Sequence, residues 1–185
     1  EQCLRTIYTV AFHIHLRLIY QIKTFAAVLN TFNAGGVWTD KSVFSDDVSF
    51  EKGAFFEPAT VALHGLERTD YKGGKNVAIL GGGTIGLLTM QWAKIFGAKQ
   101  VVVFDIVDER LELAKRLGAT AGVNTLKDGF MDEAKAMTDG AGFDYVFETA
   151  GNTITMKMAF ELAANKAGVC FIGTTDDPID SLEWH

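Results

Sequence analysis

The chain has two cysteines in 185 residues, Cys3 and Cys170, and no C-x-x-C pair. A structural zinc built from cysteines is therefore not available to it. Two distant thiols suit a reducing compartment. Positive charge is scarce as well: 17 Lys and Arg stand against 23 Asp and Glu, a net charge of −6. Proteins that grip a nucleic-acid backbone need clustered cations, so this balance argues against nucleic acid as the main partner. It leaves open a small anion held by main-chain N–H groups. Long apolar runs are also missing. The best stretch, residues 7–29, is broken by His13, His15, Arg17 and Lys23. It is a poor membrane span and a poor secretory leader. No membrane partner and a cytoplasmic location are the expectations.

What the chain does have is hydrophobic patterning. The length suits one sizeable domain or a domain with an appendage, and hydrophobic residues make up 48%, enough for a packed core and against global disorder. Val10, Phe12, Ile14, Leu16 and Leu18 alternate with Ala11, His13, His15 and Arg17, which reads as a half-buried strand. Helix competes for the rest of residues 1–30, a turn or linker is expected at 33–36, and 40–52 is mostly loop. Pro58 is expected at a first helical position, with Leu63 and Leu66 on one face of that helix. Strands are then expected at 76–80, 100–104, 121–124, 143–147 and 168–172. Helices are expected at 84–96, 108–117, about 128–138 and 152–165. In the helix at 108–117, Leu111, Ala114 and Leu117 are expected to face inward, with Gly118 closing it. Strands alternating with helices of this length predict βαβ units and an α/β fold with a parallel sheet. Right-handed crossovers place helices on both faces.

The stretch "VAILGGGTIGLLTM", residues 77–90, puts three glycines between an apolar strand and a helix. Gly81, Gly83 and Gly86 fit G-x-G-x-x-G. The first allows a tight turn, the second lets a pyrophosphate approach the backbone, and the third lets the helix pack close. The N–H groups near Thr84 and Ile85 then face a diphosphate, helped by the helix dipole. Asp105 ends the next apolar strand, 19 residues beyond Gly86, close to the roughly 20 expected of a ribose-binding acid. A carboxylate there accepts from ribose hydroxyls and repels a 2′-phosphate, so NAD is favoured over NADP. The alternative is a glycine-rich turn with Asp105 as a helix cap. Arg110 either covers the adenine or is a solvated helix charge. The predicted architecture is a Rossmann-type doubly wound sheet, incomplete at about five parallel strands, with an irregular N-terminal segment.

Residues 55–119, "FFEPATVALHGLERTDYKGGKNVAILGGGTIGLLTMQWAKIFGAKQVVVFDIVDERLELAKRLGA", resemble the zinc-containing medium-chain dehydrogenases. Within them the likeness is to the polyol branch, the sorbitol and galactitol-1-phosphate 5-dehydrogenases. "ETAGN" at 148–152 and "IGT" at 172–174 extend it, so that it covers about residues 47–174. The resemblance implies that Gly81, Gly83, Thr84, Ile85 and Gly86 hold the diphosphate of NAD. It implies that Asp105 and Arg110 hold the adenosine. Thr149, Ala150 and Gly151 would lie beside the cofactor, and Gly173 and Thr174 near the nicotinamide. Glu57 matches a hinge-helix carboxylate that reaches the catalytic zinc, a Lewis acid on the substrate oxygen. Read from the residues alone, Glu57 is foremost a first-turn acid that favours the helix dipole, with Pro58 setting φ, and it is the resemblance that makes it a candidate zinc ligand. His64 is expected to pack rather than to bind metal, and His13 with His15 to form a polar strand face.

The resemblance divides the chain into an N-terminal segment outside the family's catalytic domain or a remnant of it (1–46), an NAD-binding domain with a hinge helix (47–174), and an irregular tail (175–185). The family's catalytic domain and its cysteine-rich lobe are not matched, and both ends read as those of a partial chain. The expected function is oxidation of a secondary alcohol, a polyol or sugar phosphate, to a ketone by hydride transfer to NAD. The competing reading is a non-catalytic NAD-binding module, and a weaker one a structural subunit. The chain alone is expected to bind NADH weakly and turn over no polyol. A homo-oligomer is compatible with the family.

Overall fold

The computed structural model describes residues 55–175. The strand read at 10–18, the turn at 33–36, the loop at 40–52 and the tail after Thr175 lie outside the described residues, as do Cys3, His13 and His15. The chain divides into two compact units, Glu1–Thr60 and Val61–His185.

The elements in chain order are α1 (Phe56–Arg68), β1 (Asn76–Leu80), α2 (Thr84–Ile95), β2 (Gln100–Asp105), α3 (Asp108–Arg116), β3 (Ala121–Asn124), α4 (Phe130–Ala136), β4 (Phe143–Glu148), α5 (Thr153–Leu162) and β5 (Ala163–Phe171). The five strands form one parallel sheet in the order β3-β2-β1-β4-β5. The doubly wound α/β fold expected from the alternation is the fold present.

Strands covered on both faces cannot alternate polar and apolar residues, which is why β1 and β2 read as continuous apolar runs. Side chains still alternate between the faces. One face carries Ala78, Leu80, Val102, Phe104 and Val123, which pack with Ala134 of α4 and with Met158, Ala159 and Leu162 of α5. On the other face Tyr71 stands 6.5 Å from Phe147 by ring centroids and 4.7 Å from Tyr145. The Tyr71 hydroxyl donates to the carbonyl of Ala93 in α2 at 3.2 Å. Val77, Ile79, Val101 and Val103 are fully buried beneath that layer.

Four local expectations are corrected. Helix α1 begins at Phe56, so Pro58 is its third residue rather than its first. Its missing N–H still falls among the first-turn donors that have no intrahelical acceptor. His64 is exposed rather than packed, because the inward stripe is Ala62, Leu63, Gly65 and Leu66. It accepts a hydrogen bond from Arg68 Nε at 3.2 Å. Leu111 and Ala114 are buried, but Leu117 is 42% exposed. Each three-residue step falls about 60° short of a full helical turn, so two steps carry Leu117 far round from Leu111.

The fourth correction concerns α5 and β5. The helix expected to reach residue 165 stops at Leu162, and Ala163 already pairs with Phe143 in the sheet. The next paired residues are Tyr145 and Gly168, so 164–167 loop out between them. Lys166 at the crest has φ 66. Pairing with β4 overrides the helix propensity of Ala163 and Ala164.

Candidate functional site

The carboxyl ends of β1, β2, β4 and β5 meet on one edge of the sheet. The strand order reverses between β1 and β4, and such a switch point leaves a crevice outside the carboxyl ends of the strands. The glycine turn after β1 lies there.

Each glycine of the turn has a distinct reason. Gly81 has φ +103, and a Cβ on it would meet Thr149 Oγ1 at 2.9 Å. A Cβ on Gly86 would overlap the Gly81 carbonyl oxygen, so α2 can approach the strand only with glycine there. Gly83 differs: a Cβ on it would meet nothing within 4 Å. No contact inside the described structure requires glycine at 83, and the space above it is open to a ligand. Gly83 is also the N-cap of α2, and no side chain caps that helix. The first N–H groups of α2, at Thr84, Ile85 and Gly86, are the donors that an α-helix leaves without intrahelical acceptors. A diphosphate fits this main-chain cradle.

Asp105 lies on one side of the turn and Thr149 on the other. Asp105 closes β2 and is 8% exposed. Its Oδ2 accepts from Gly82 N–H at 2.6 Å and its Oδ1 from Val107 N–H at 2.9 Å. Arg110 Nη1 lies 3.6 Å from Oδ2, on the first turns of α3. Beside this pair, Asp108 accepts from Asn124 Nδ2 at 2.9 Å. That hydrogen bond and the nearby Lys127 ammonium hold the Asp108 carboxyl below its ordinary range. Thr149 N–H and Oγ1 both donate to the Leu80 carbonyl at 2.8 Å, and Oγ1 lies 3.1 Å from the Gly81 carbonyl. A Cβ on Gly151, with φ +69, would meet Thr174 N at 3.1 Å.

Of the residues singled out from the sequence, Gly81, Gly83, Thr84, Ile85 and Gly86 thus form one turn. Asp105 and Arg110 flank it through Gly82, Thr149 and Ala150 flank it through Gly81, and Gly151 meets Gly173 and Thr174. Glu57 is exposed in the first turn of α1, within the unit Glu1–Thr60. Spacing along the sequence leaves two residues unmarked. Gly82 donates to Asp105, a contact no spacing reveals. Glu148 is fully buried at the end of β4. Its signal was visible: like "QVVVFD", "FDYVFE" is an apolar strand closed by an acid.

A family model described as zinc-binding dehydrogenase matches residues 84–184. The chain belongs to the zinc-binding dehydrogenase family. Sorbitol dehydrogenase of Bacillus subtilis is 35% identical over 69% of this chain and 36% of its own length. Galactitol 1-phosphate 5-dehydrogenase of Escherichia coli is 38% identical over 72% of this chain and 39% of its own length. A solved zinc-binding dehydrogenase-type structure from Sinorhizobium meliloti, bound to NADP, superposes with a TM-score of 0.62 at 35% identity, covering 70% of this chain and 39% of that one. The chain therefore spans well under half the length of these relatives. The family's name points to zinc, and the Sinorhizobium meliloti structure is bound to NADP, a nicotinamide dinucleotide.

The two groups fit unequally. The open floor at Gly83 and the uncapped α2 suit a dinucleotide. For the zinc in the family's name, the described residues supply no group of three or more His, Cys, Asp or Glu side chains that come together. Cys170 sits in β5, half-buried, and burial pushes its thiol up. No helix among the described residues is long and apolar enough to cross a membrane.

Proposed function

We propose that this chain is the NAD-binding part of a cytoplasmic oxidoreductase that takes a polyol or sugar phosphate from secondary alcohol to ketone. The observation that carries the reading is the side-chain-free floor at Gly83, set between an uncapped helix N-terminus and a carboxyl group. Main-chain N–H groups of Thr84, Ile85 and Gly86 hold the diphosphate. Asp105 keeps lone pairs for ribose hydroxyls beyond those engaged by Gly82 and Val107, and Arg110 lies against the adenosine. Thr149, Ala150, Gly151, Gly173 and Thr174 line the nicotinamide end, and the bound nicotinamide supplies the hydride acceptor. The polyol and sugar-phosphate substrate class comes from the named relatives.

Asp105 favours NADH over NADPH, because a 2′-phosphate would lie against its carboxylate. Fluorescence titration of the chain should show NADH binding at least about tenfold tighter than NADPH. Absence of binding, or tighter NADPH, overturns the assignment. The competing reading, a dinucleotide-binding module without catalysis, is favoured by the lack of a three-ligand metal cluster among the described residues, since catalytic zinc takes three protein ligands. Accordingly the chain alone should hold no stoichiometric zinc and should not reduce NAD with galactitol 1-phosphate or sorbitol. Turnover accompanied by stoichiometric zinc would show that the chain is a complete catalyst.

A further inference from the structure

Glu148 stands at the junction of the β4 and β5 exits. It is 0% exposed. Its Oε1 accepts three hydrogen bonds: from Ala150 N–H at 2.8 Å, from Gly151 N–H at 2.9 Å and from Thr155 Oγ1 at 2.8 Å. Its backbone carbonyl accepts two more, from Ile172 N–H at 2.8 Å and Gly173 N–H at 3.0 Å. One residue thereby ties the exit of β4, the first turn of α5 and the exit of β5 to a common point.

The other carboxyl oxygen points to a role beyond packing. Among the described residues, Glu148 Oε2 is the buried side-chain polar atom without a hydrogen-bond partner. An unpartnered buried oxygen costs about 1–3 kcal/mol, and native structures contain few of them. An apolar side chain would fill the same space without that cost. Yet it would leave the N–H groups of Ala150 and Gly151 without their acceptor, and the turn that they form would open. A Cβ on Gly173 would meet Oε2 at 2.7 Å, so that glycine lies directly against the carboxyl group.

We infer that Glu148 is a positioning residue that sets residues 149–151 against 172–174 and so shapes the seat of the nicotinamide. The inference rests on the dinucleotide reading above. It predicts a split between the two ends of the ligand, which general destabilisation would not produce. ADP-ribose carries the adenosine and diphosphate but no nicotinamide, so it reports on Gly83 and Asp105 alone.

The test titrates the chain and its variants with NADH and with ADP-ribose, following nicotinamide fluorescence for the first and calorimetry for the second. Glu148→Ala should weaken NADH about tenfold. ADP-ribose affinity should stay within about twofold of wild type, and the fluorescence enhancement of bound NADH should be lost. Glu148→Gln keeps an acceptor at Oε1 and should restore most of the NADH affinity. Thr155→Val removes one of the three donors in a milder way and should weaken NADH about threefold, again sparing ADP-ribose. It carries the test if Glu148→Ala does not fold. Equal weakening of both ligands, or no change in either, overturns the positioning role. Failure of the wild-type chain to bind either ligand removes the dinucleotide reading and the inference together. Binding of ADP-ribose with the NADH split absent removes only the inference.

Discussion

Two strands of the sheet end in a buried acid, and the two acids sit in opposite surroundings. Asp105 at the end of β2 has one N–H on each oxygen and remains 8% exposed beside the glycine turn. Glu148 at the end of β4 has three donors on one oxygen, none on the other, and no exposure. Position at a strand's carboxyl end is shared, so position alone does not decide what an acid does. The first acid keeps a trace of exposure beside the glycine turn, which suits recognition of a ligand. The second faces the protein's own turns, which suits holding them in place. The same contrast runs through the glycines. Gly86 is required by the chain itself, while nothing within the described structure requires Gly83.

The sharpest way to break this contrast is at Gly86, between the two exits. Gly86→Val drives side-chain atoms into the Gly81 carbonyl, which Thr149 holds in place. A stability loss of about 3 kcal/mol is expected in urea unfolding. A loss below about 0.5 kcal/mol would mean that the turn is not packed as described. Next comes Asp105→Ala, which leaves Gly82 N–H and Val107 N–H without their acceptor. It should cost about 2 kcal/mol of stability. It should also weaken NADH and ADP-ribose alike by about thirtyfold, unlike Glu148→Ala. If NADH affinity is unchanged, the ribose role of Asp105 fails. Gly83→Ala should leave unfolding within about 0.5 kcal/mol of wild type while lowering NADH affinity about tenfold. Loss of stability with affinity preserved would reverse the distinction between Gly83 and Gly86.

The smallest effect lies at the other end of the sheet, where neither acid acts. Burial, with Tyr145 and Asp144 nearby, raises the Tyr71 hydroxyl from 10.0 to about 12. The unfolded chain loses this proton first as pH rises. The stabilisation is therefore complete below pH 10 and is lost as pH climbs through about 12. Absorbance titration of the phenolates should show a late-titrating component that Tyr71→Phe removes, with NADH binding unaffected.

Much of this arrangement was legible in the residues. The runs from Asn76 to Leu80 and from Ala121 to Asn124 match their strands at both ends, because glycine-bearing turns or helix ends bound them. The glycine turn and Asp105 could be located by spacing. The start of β5 could not, since Ala163 and Ala164 suit a helix as well as a strand and only pairing with Phe143 decides. Leu117 departs from the expected inward face because its three-residue spacing drifts around the helix. Gly82 and the partners of Glu148 depend on segments that meet only in three dimensions. Spacing along the chain does not encode such encounters.

The four residues that loop out between Phe143–Ala163 and Tyr145–Gly168 give the α5–β5 crossover some slack. A change in the length of that connection can be absorbed there, at the amino end of the strand. The register from Gly168 to Phe171 then stays fixed, and with it the spot where Gly173 abuts Gly151. An insertion at this bend is therefore a tolerable edit where one at 149–151 is not.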